Sequence, residues 1–357
     1  MCAVLIVRRP TCCYGDGPVG TAAELLFLSQ EDVLAAGGLD VAAAIDVVEE
    51  ALRLHAEGDT RLPSKTTILW SDELESEETR GRIMAMPGYV GGSIGLAGLK
   101  WIPSVPSNPA RGLPRGVGLM VLTDPETGLP VAVMDGTIVS AARTGAVTGV
   151  AARRLARHDA RVAALLGAGV QAGTQLPALE AVLPALEEIR VWDIVAEKAE
   201  AFCARSDKVV AVGSSEEACR GADVIVAATM APEPYVRAAW LAPGSLFCSV
   251  SSLDAEVACI EQADLVVCDL WEHETEHHSR PLARASAAGV IRREDVVELP
   301  DLVAGRRPGR TSDEERIFFT PVGLAIEDVA TAARVYRRAA ELGLGTRLSL
   351  WQSPVWT

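Results

Sequence analysis

The sequence predicts an α/β protein: a doubly wound parallel sheet accompanied by a separate α+β region. Three observations predict it. After Arg161, near-continuous apolar runs alternate with helical segments, the pattern of strands buried on both faces. Before Arg161, shorter β-rich runs lie between two helical stretches. Where the two regions meet, an apolar strand runs directly into a glycine-rich turn that opens a helix.

Taken in order, residues 1–27 show no sustained periodicity and are expected to form a flexible extension. Asp40 is a good N-cap, and Val41, Ala44, Ile45, Val48, Leu52 and His55 then recur at helical spacing until Gly58. Strands are expected at KTTILW (65–70), RIMAMP (82–87), LAGLKWI (96–102), GVGLMVLTD (116–124) and PVAVMDG (130–136), the last two joined by a DPETG hairpin. A helix of small residues follows from about Thr137 to Arg157. The strands of the parallel sheet are RVAALLG (161–167), EIRVWD (188–193), KVVAV (208–212), DVIVAAT (223–229), SLFCSV (245–250) and ADLVVCD (263–269). A loop, FFTPVG (318–323), leads to a last helix over 327–344 and returns the chain to the first region.

The chain has 357 residues, 49% of them apolar, which is enough for a sizeable core. Its 33 Lys and Arg against 48 Asp and Glu leave a formal charge of −15, which repels a phosphate backbone or an anionic membrane face. Nucleic acid and membrane are therefore not expected partners. No apolar run approaches the roughly 18–20 residues of a membrane span, and MCAVLIV is too short for a signal peptide. The eight cysteines form no CxxC pair, and a reducing cytoplasm is the expected location.

The strand RVAALLG continues into GAGVQA, so Gly167, Gly169 and Ala172 have the spacing of a dinucleotide-binding turn. The first glycine permits the turn, the second admits a pyrophosphate to the backbone, and the small third residue lets helix and strand pack, leaving phosphate at the helix N-terminus. Asp193 ends the next strand, where a carboxylate accepts from a ribose 2′-hydroxyl. No arginine follows in IVAEK to take a 2′-phosphate, so the expected cofactor is NAD. Thr229, ending the fourth strand, either lines the nicotinamide side or caps the next helix.

Four cations lie in apolar surroundings: Lys65, Lys100, Arg115 and Arg143. Buried cations need anionic partners, either a ligand carboxylate or acids of the chain itself. His273-Glu274-Thr275-Glu276-His277 spells HExxH, yet it follows a strand of the nucleotide domain and lacks a third ligand motif, so no metal is expected.

With these residues in view, the chain resembles the ornithine cyclodeaminase/μ-crystallin family from about residue 28 to 350. The segments are GLKWIPSVPSNPARGLPR, LTDPETGLPVAVMDGTIVSAARTGAVTGVAA, LLGAGVQAGTQ and TPVGLAIEDVA. Within it, RIMAMPGYVGG, FCSVSSLDAEV, GRRPGRTSDEERIFF and LGLGTRLSLW are similar to the N-(2-amino-2-carboxyethyl)-L-glutamate dehydrogenase branch of 2,3-diaminopropionate biosynthesis.

The resemblance implies a Rossmann-type NAD domain over 151–319 and a substrate and dimerisation domain built from 28–150 and 320–357. It implies a homodimer, and a small-molecule amino acid derivative with several carboxylates as substrate. Lys65, Lys100 and Arg143 would hold a substrate carboxylate beside Pro321 and Val322, and Arg143, Val170, Gln171, Thr229 and Val250 would touch cofactor. Arg115 stands where cyclodeaminases carry a small hydroxyl residue, and Met84 where they carry a glutamate. Both departures point away from simple ornithine cyclisation, and Arg115 is assigned to the substrate. Asp254 lies one residue out of step with the cyclodeaminase VGGD segment and, with Lys100, is the candidate acid/base. The implied reaction is NAD-dependent oxidative hydrolysis of N-(2-amino-2-carboxyethyl)-L-glutamate to L-2,3-diaminopropionate and 2-oxoglutarate, for a siderophore or antibiotic precursor. The alternatives are a cyclodeaminase with recycled NAD, another amino acid dehydrogenase or imine reductase, and a non-catalytic NAD(H)-binding protein.

Overall fold

The computed structural model describes residues 22–69 and 81–354. The expected extension up to residue 21 and Trp70 of KTTILW lie outside the described residues. The first sheet takes β1 (Ala23–Leu28), β2 (Thr60–Arg61), β3 (Thr66–Leu69), β4 (Arg82–Val90), β5 (Leu96–Ser104), β6 (Leu119–Thr123) and β7 (Pro130–Asp135). The second takes β8 (Val162–Leu166), β9 (Glu188–Trp192), β10 (Val209–Ala211), β11 (Val224–Ala227), β12 (Leu246–Ser249), β13 (Leu265–Cys268), β14 (Val296–Glu298) and β15 (Ile317–Thr320). The chain then returns to the first sheet as β16 (Thr346–Trp351).

The first sheet runs β16-β1-β7-β6-β5-β4-β2, with β3 also on β4. Its inner face carries Leu28, Val90, Leu96, Met120, Leu122 and Met134, all buried. The helices Val41–Ala56, Gly136–Leu155 and Ala325–Leu342 cover that face. Asp40 caps the first of them as expected, accepting from the Ala43 N–H at 3.0 Å. The small residues of Gly136–Leu155 let it lie close against both Val41–Ala56 and Ala172–Val182.

The second sheet is parallel throughout, in the order β10-β9-β8-β11-β12-β15-β13-β14. One apolar cluster runs from its Ala163, Leu165, Val224 and Val226 face through the Gly136–Leu155 helix into the first sheet. Alternate residues Ala164, Leu166, Ile225 and Phe247 form a second cluster on the other face. The two sheets thus share one core.

Two expectations are corrected. Residues 23–27, read as part of the flexible extension, form β1, parallel to β7 and antiparallel to β16. Leu25 and Leu26 are both buried, so AELLFL lacks the strict alternation that marks a strand. FFTPVG, read as a loop, begins inside β15, whose four residues are buried between β12 and β13. Pro321 and Gly323 end that strand so abruptly that the segment looked like a turn.

Candidate functional site

The site gathers where open α/β sheets bind ligands, outside the carboxyl ends of the second sheet's strands. After β8, Gly167 adopts φ +97°, and a Cβ there would lie 2.9 Å from the Ala228 carbonyl oxygen. Only glycine makes that turn without strain. Asp193, just after β9, accepts from the Ala168 N–H and the Val195 N–H, each at 2.9 Å, which fixes its carboxylate beside the glycine loop.

These residues fit a dinucleotide. A Cβ at Gly169 would meet nothing within 4 Å, Val170 is 77% exposed, and the buried Gln171 Oε1 has no partner among the described residues. Gly167 and Gly169 would pass the pyrophosphate to the start of the helix Ala172–Val182, and Asp193 would hold a ribose hydroxyl.

Farther along the edge, Thr229 follows β11 and Val250 follows β12. The Thr229 hydroxyl donates to Asp254 while accepting from the Ala231 N–H at 3.1 Å, and the Ser251 hydroxyl also donates to Asp254. Asp254 is fully buried; burial raises its pKa against the pull of those two hydroxyls. Asp254, read beside Lys100 as a candidate acid/base, takes one hydroxyl on each carboxylate oxygen, Thr229 on one and Ser251 on the other. Asp254 acts as the brace of this loop.

Lys100 points inward from β5, 1% exposed, with Nζ 2.7 Å from Asp328 Oδ2 and 3.2 Å from Ser140 Oγ. Burial, then the neighbouring Arg143, push its pKa down to about 8, while Asp328 holds it up. Arg143 reaches Asp328 Oδ1 at 3.0 Å and Glu327 Oε2 at 3.1 Å. Burial carries the Glu327 carboxyl up to about 7. Lys65, just ahead of β3, donates to the Val322 carbonyl at 2.8 Å and has no carboxylate ion pair among the described residues. Burial and the Arg280 charge push it down to about 7.

Arg280 ties three strand ends together. Its guanidinium meets Glu274 after β13 at 2.8 Å, the Pro321 carbonyl after β15 at 2.9 Å and Ser252 Oγ after β12 at 3.1 Å. Thr320 Oγ1 donates to the same Glu274 at 3.2 Å, and burial raises that carboxyl to about 7. Asp269 accepts from the Gly323 N–H at 2.6 Å. The Glu274 of the HExxH spelling is thus an arginine's counter-ion, and its helix, Trp271–Thr275, ends before His277.

Of the four predicted cations, Lys65, Lys100 and Arg143 lie together: the charges of Arg143 and Lys100 both act on Lys65, Lys100 and Arg143 share Asp328, and Lys65 donates to the Val322 carbonyl, next to the Pro321 that Arg280 holds. Arg115 does not join them: it donates to Ser104 Oγ at 3.3 Å, and its charged neighbour is Arg82. Asp269, Glu274, Arg280, Glu327 and Asp328 were missed. The signal for the last two was charge balance: apolar surroundings around Lys100 and Arg143 demand acids, and the last helix opens on adjacent ones.

The family described as Ornithine cyclodeaminase/mu-crystallin family matches residues 24–343. An alanine dehydrogenase of Archaeoglobus fulgidus is 37% identical over 340 residues, 92% of this chain and 99% of the relative. An N-((2S)-2-amino-2-carboxyethyl)-L-glutamate dehydrogenase of Staphylococcus aureus is 32% identical over 336 residues, with the same two coverages of 92% and 99%. Among solved structures, an archaeal alanine dehydrogenase dimer with bound NAD superposes with a TM-score of 0.82 at 35% identity, covering 92% of this chain and all of that one.

Proposed function

The chain belongs to the ornithine cyclodeaminase/mu-crystallin family and is an NAD-dependent oxidoreductase; from that premise we propose that it acts on N-(2-amino-2-carboxyethyl)-L-glutamate. The products are L-2,3-diaminopropionate and 2-oxoglutarate. The observation that carries this reading is Lys65: a cation near Lys100 and Arg143 that has no carboxylate ion pair among the described residues, so a substrate carboxylate completes it.

Bound NAD supplies the hydride acceptor for the glutamate α-carbon. Lys65 and Arg143 hold the adjacent carboxylate and so orient that carbon. Oxidation leaves a C=N bond, to which water adds; the carbinolamine then loses its C–N bond, with the proton returning to the departing amine. Lys100, whose pKa near 8 is set between burial and Asp328, moves the proton. Thr229, braced by Asp254, shapes the cofactor side.

Absorbance at 340 nm with NAD and this amine, beside L-alanine and L-ornithine, tests the reading, with mass spectrometry of the products. NADH appearing with equal amounts of 2-oxoglutarate and diaminopropionate is the expected result. The 37% identity to an alanine dehydrogenase favours a second reading, which pyruvate formation from L-alanine would establish instead. Proline from ornithine without net NADH would mark a cyclodeaminase. NADH binding with no turnover would leave a binding protein.

The outer face of the first sheet presents Phe27, Ile68, Trp101, Leu119 and Leu348, each more than a third exposed. We infer that a second copy covers it, as a homodimer. No described helix is long and apolar enough to cross a membrane.

A further inference from the structure

Resting on that reading of the pocket, we propose that Arg82 and Arg115 form a subsite for a second carboxylate on the substrate's distal arm, selecting amino acid derivatives with more than one carboxylate. The argument begins with strand register. Across β4 and β5, Met86 pairs with Lys100, Met84 with Ile102, and Arg82 with Ser104. Side chains alternate along strands, so these three pairs share one face, the face on which Lys100 meets the pocket. Ser104 lies four steps along the strand from Lys100, a span of about 13 Å at 3.3 Å per residue.

At the far end of that span, Ser104 receives the hydrogen bond from Arg115 Nε, and Val105 N–H donates to the Arg115 carbonyl at 2.7 Å. The Arg82 charge presses on the Arg115 guanidinium, and no ion pair joins either arginine to a carboxylate among the described residues. Two neighbouring cations repel each other, and a bound carboxylate would relieve both. Between the two cationic ends lie Met84 and Ile102, partly buried and apolar. The strip therefore offers a cation cluster, an apolar floor and an arginine pair in sequence. That fits an amino acid whose α-carboxylate sits at Lys65 and Arg143, with Lys100 beside it, and whose second arm ends in another carboxylate. A substrate with one carboxylate leaves the arginine pair untouched.

The test compares wild type with Arg82→Gln, Arg115→Gln and Arg82→Lys. The expected result with the tricarboxylate amine is a rise of about tenfold or more in KM for each Gln variant. The change falls on KM rather than kcat, and Arg82→Lys retains most of the affinity. The NADH dissociation constant and Tm should stay at wild-type values, which separates a lost contact from a damaged fold. An unchanged KM, or a rise shared equally with L-alanine, would overturn the proposal. If wild type oxidises no tricarboxylate amine, the activity reading fails while the subsite is still decided by calorimetry on the NADH-loaded protein. There the wild type should bind 2-oxoglutarate more tightly than pyruvate, with that preference lost in Arg82→Gln. Equal binding of the two oxo acids by wild type, or a preference that survives Arg82→Gln, would refute it.

Discussion

Lys65 and Lys100 show what a buried cation in a sequence does and does not reveal. Both were legible as cations needing anions, and the acid that answers Lys100 is the protein's own Asp328. Tertiary contact decides between the two outcomes, since Asp328 lies more than two hundred residues away in sequence. Lys65 has no carboxylate ion pair among the described residues, and its pH behaviour follows. In the unfolded chain its pKa lies near the ordinary lysine value of about 10.4, and folding lowers it to about 7. Between those values the unfolded state binds the extra proton, so this residue's contribution to stability improves as pH rises through that window. Below pH 7 the folded protein carries the cost of a charge held partly out of water. Lys65→Met should therefore raise the Tm of the ligand-free protein at pH 6, by roughly 2 °C or more if about 1 kcal/mol is recovered. The gain should shrink towards pH 10, and KM for the amine should rise at least about tenfold for loss of a charged contact. In the wild type, kcat/KM should fall as pH rises through about 7, where free Lys65 loses its proton. Lys65→Arg should move that limb upward, and an unmoved limb would assign it to another group.

At the scale of elements, the apolar runs of β8, β11, β12 and β13 were legible because each fills a sheet position buried on both faces. The glycine turn was legible because its spacing is a backbone requirement, visible without knowing its neighbours. β14 and β15 were not: β14 lies between charged residues in REDVVELP, and β15 runs straight into the turn formers Pro321 and Gly323. The cost of missing β15 was larger than one strand, because its end delivers Pro321, Val322 and Gly323 to the pocket. Asp269 at the end of β13 grips Gly323, and Arg280 grips Pro321, so neighbouring strand ends hold the substrate loop in place. Gly323 has φ +78°, and a Cβ there would lie 2.1 Å from Arg143 Nη1. Arg143 cannot swing aside cheaply, since Glu327 and Asp328 hold it. Gly323→Ala should destabilise by about 1–3 kcal/mol, combining left-handed backbone strain with a displaced ion pair. Thermal unfolding measures that loss, and substrate KM should suffer while NADH affinity, set at the other strand ends, holds. Equal losses of both affinities would mean that the loop supports the whole edge.

For the whole molecule, one core joins both sheets, yet the outer face of the first sheet remains apolar in a chain of formal charge −15. Two such copies repel each other at long range, so association must come from apolar burial at short range. Salt then separates the two terms: screening removes the repulsion and leaves or strengthens the apolar gain. The homodimer should accordingly tighten between about 0.01 and 0.5 M salt, where the screening length falls from about 30 Å to a few ångströms. Trp101 tests the geometry. It stands on β5 beside Lys100 but points to the other face, opposite Ala85 and Leu119, so a change there meets the partner before it meets the pocket. Trp101→Glu places a carboxylate in the middle of that apolar face, where pairing two copies would bury two unpartnered charges. Light scattering should show a monomer for Trp101→Glu at concentrations where the wild type is a dimer, with NADH binding retained because the glycine loop belongs to the second sheet. A variant that stays dimeric would place the interface elsewhere on the molecule, and a wild type that is monomeric at high salt would leave this face without a second copy to cover it.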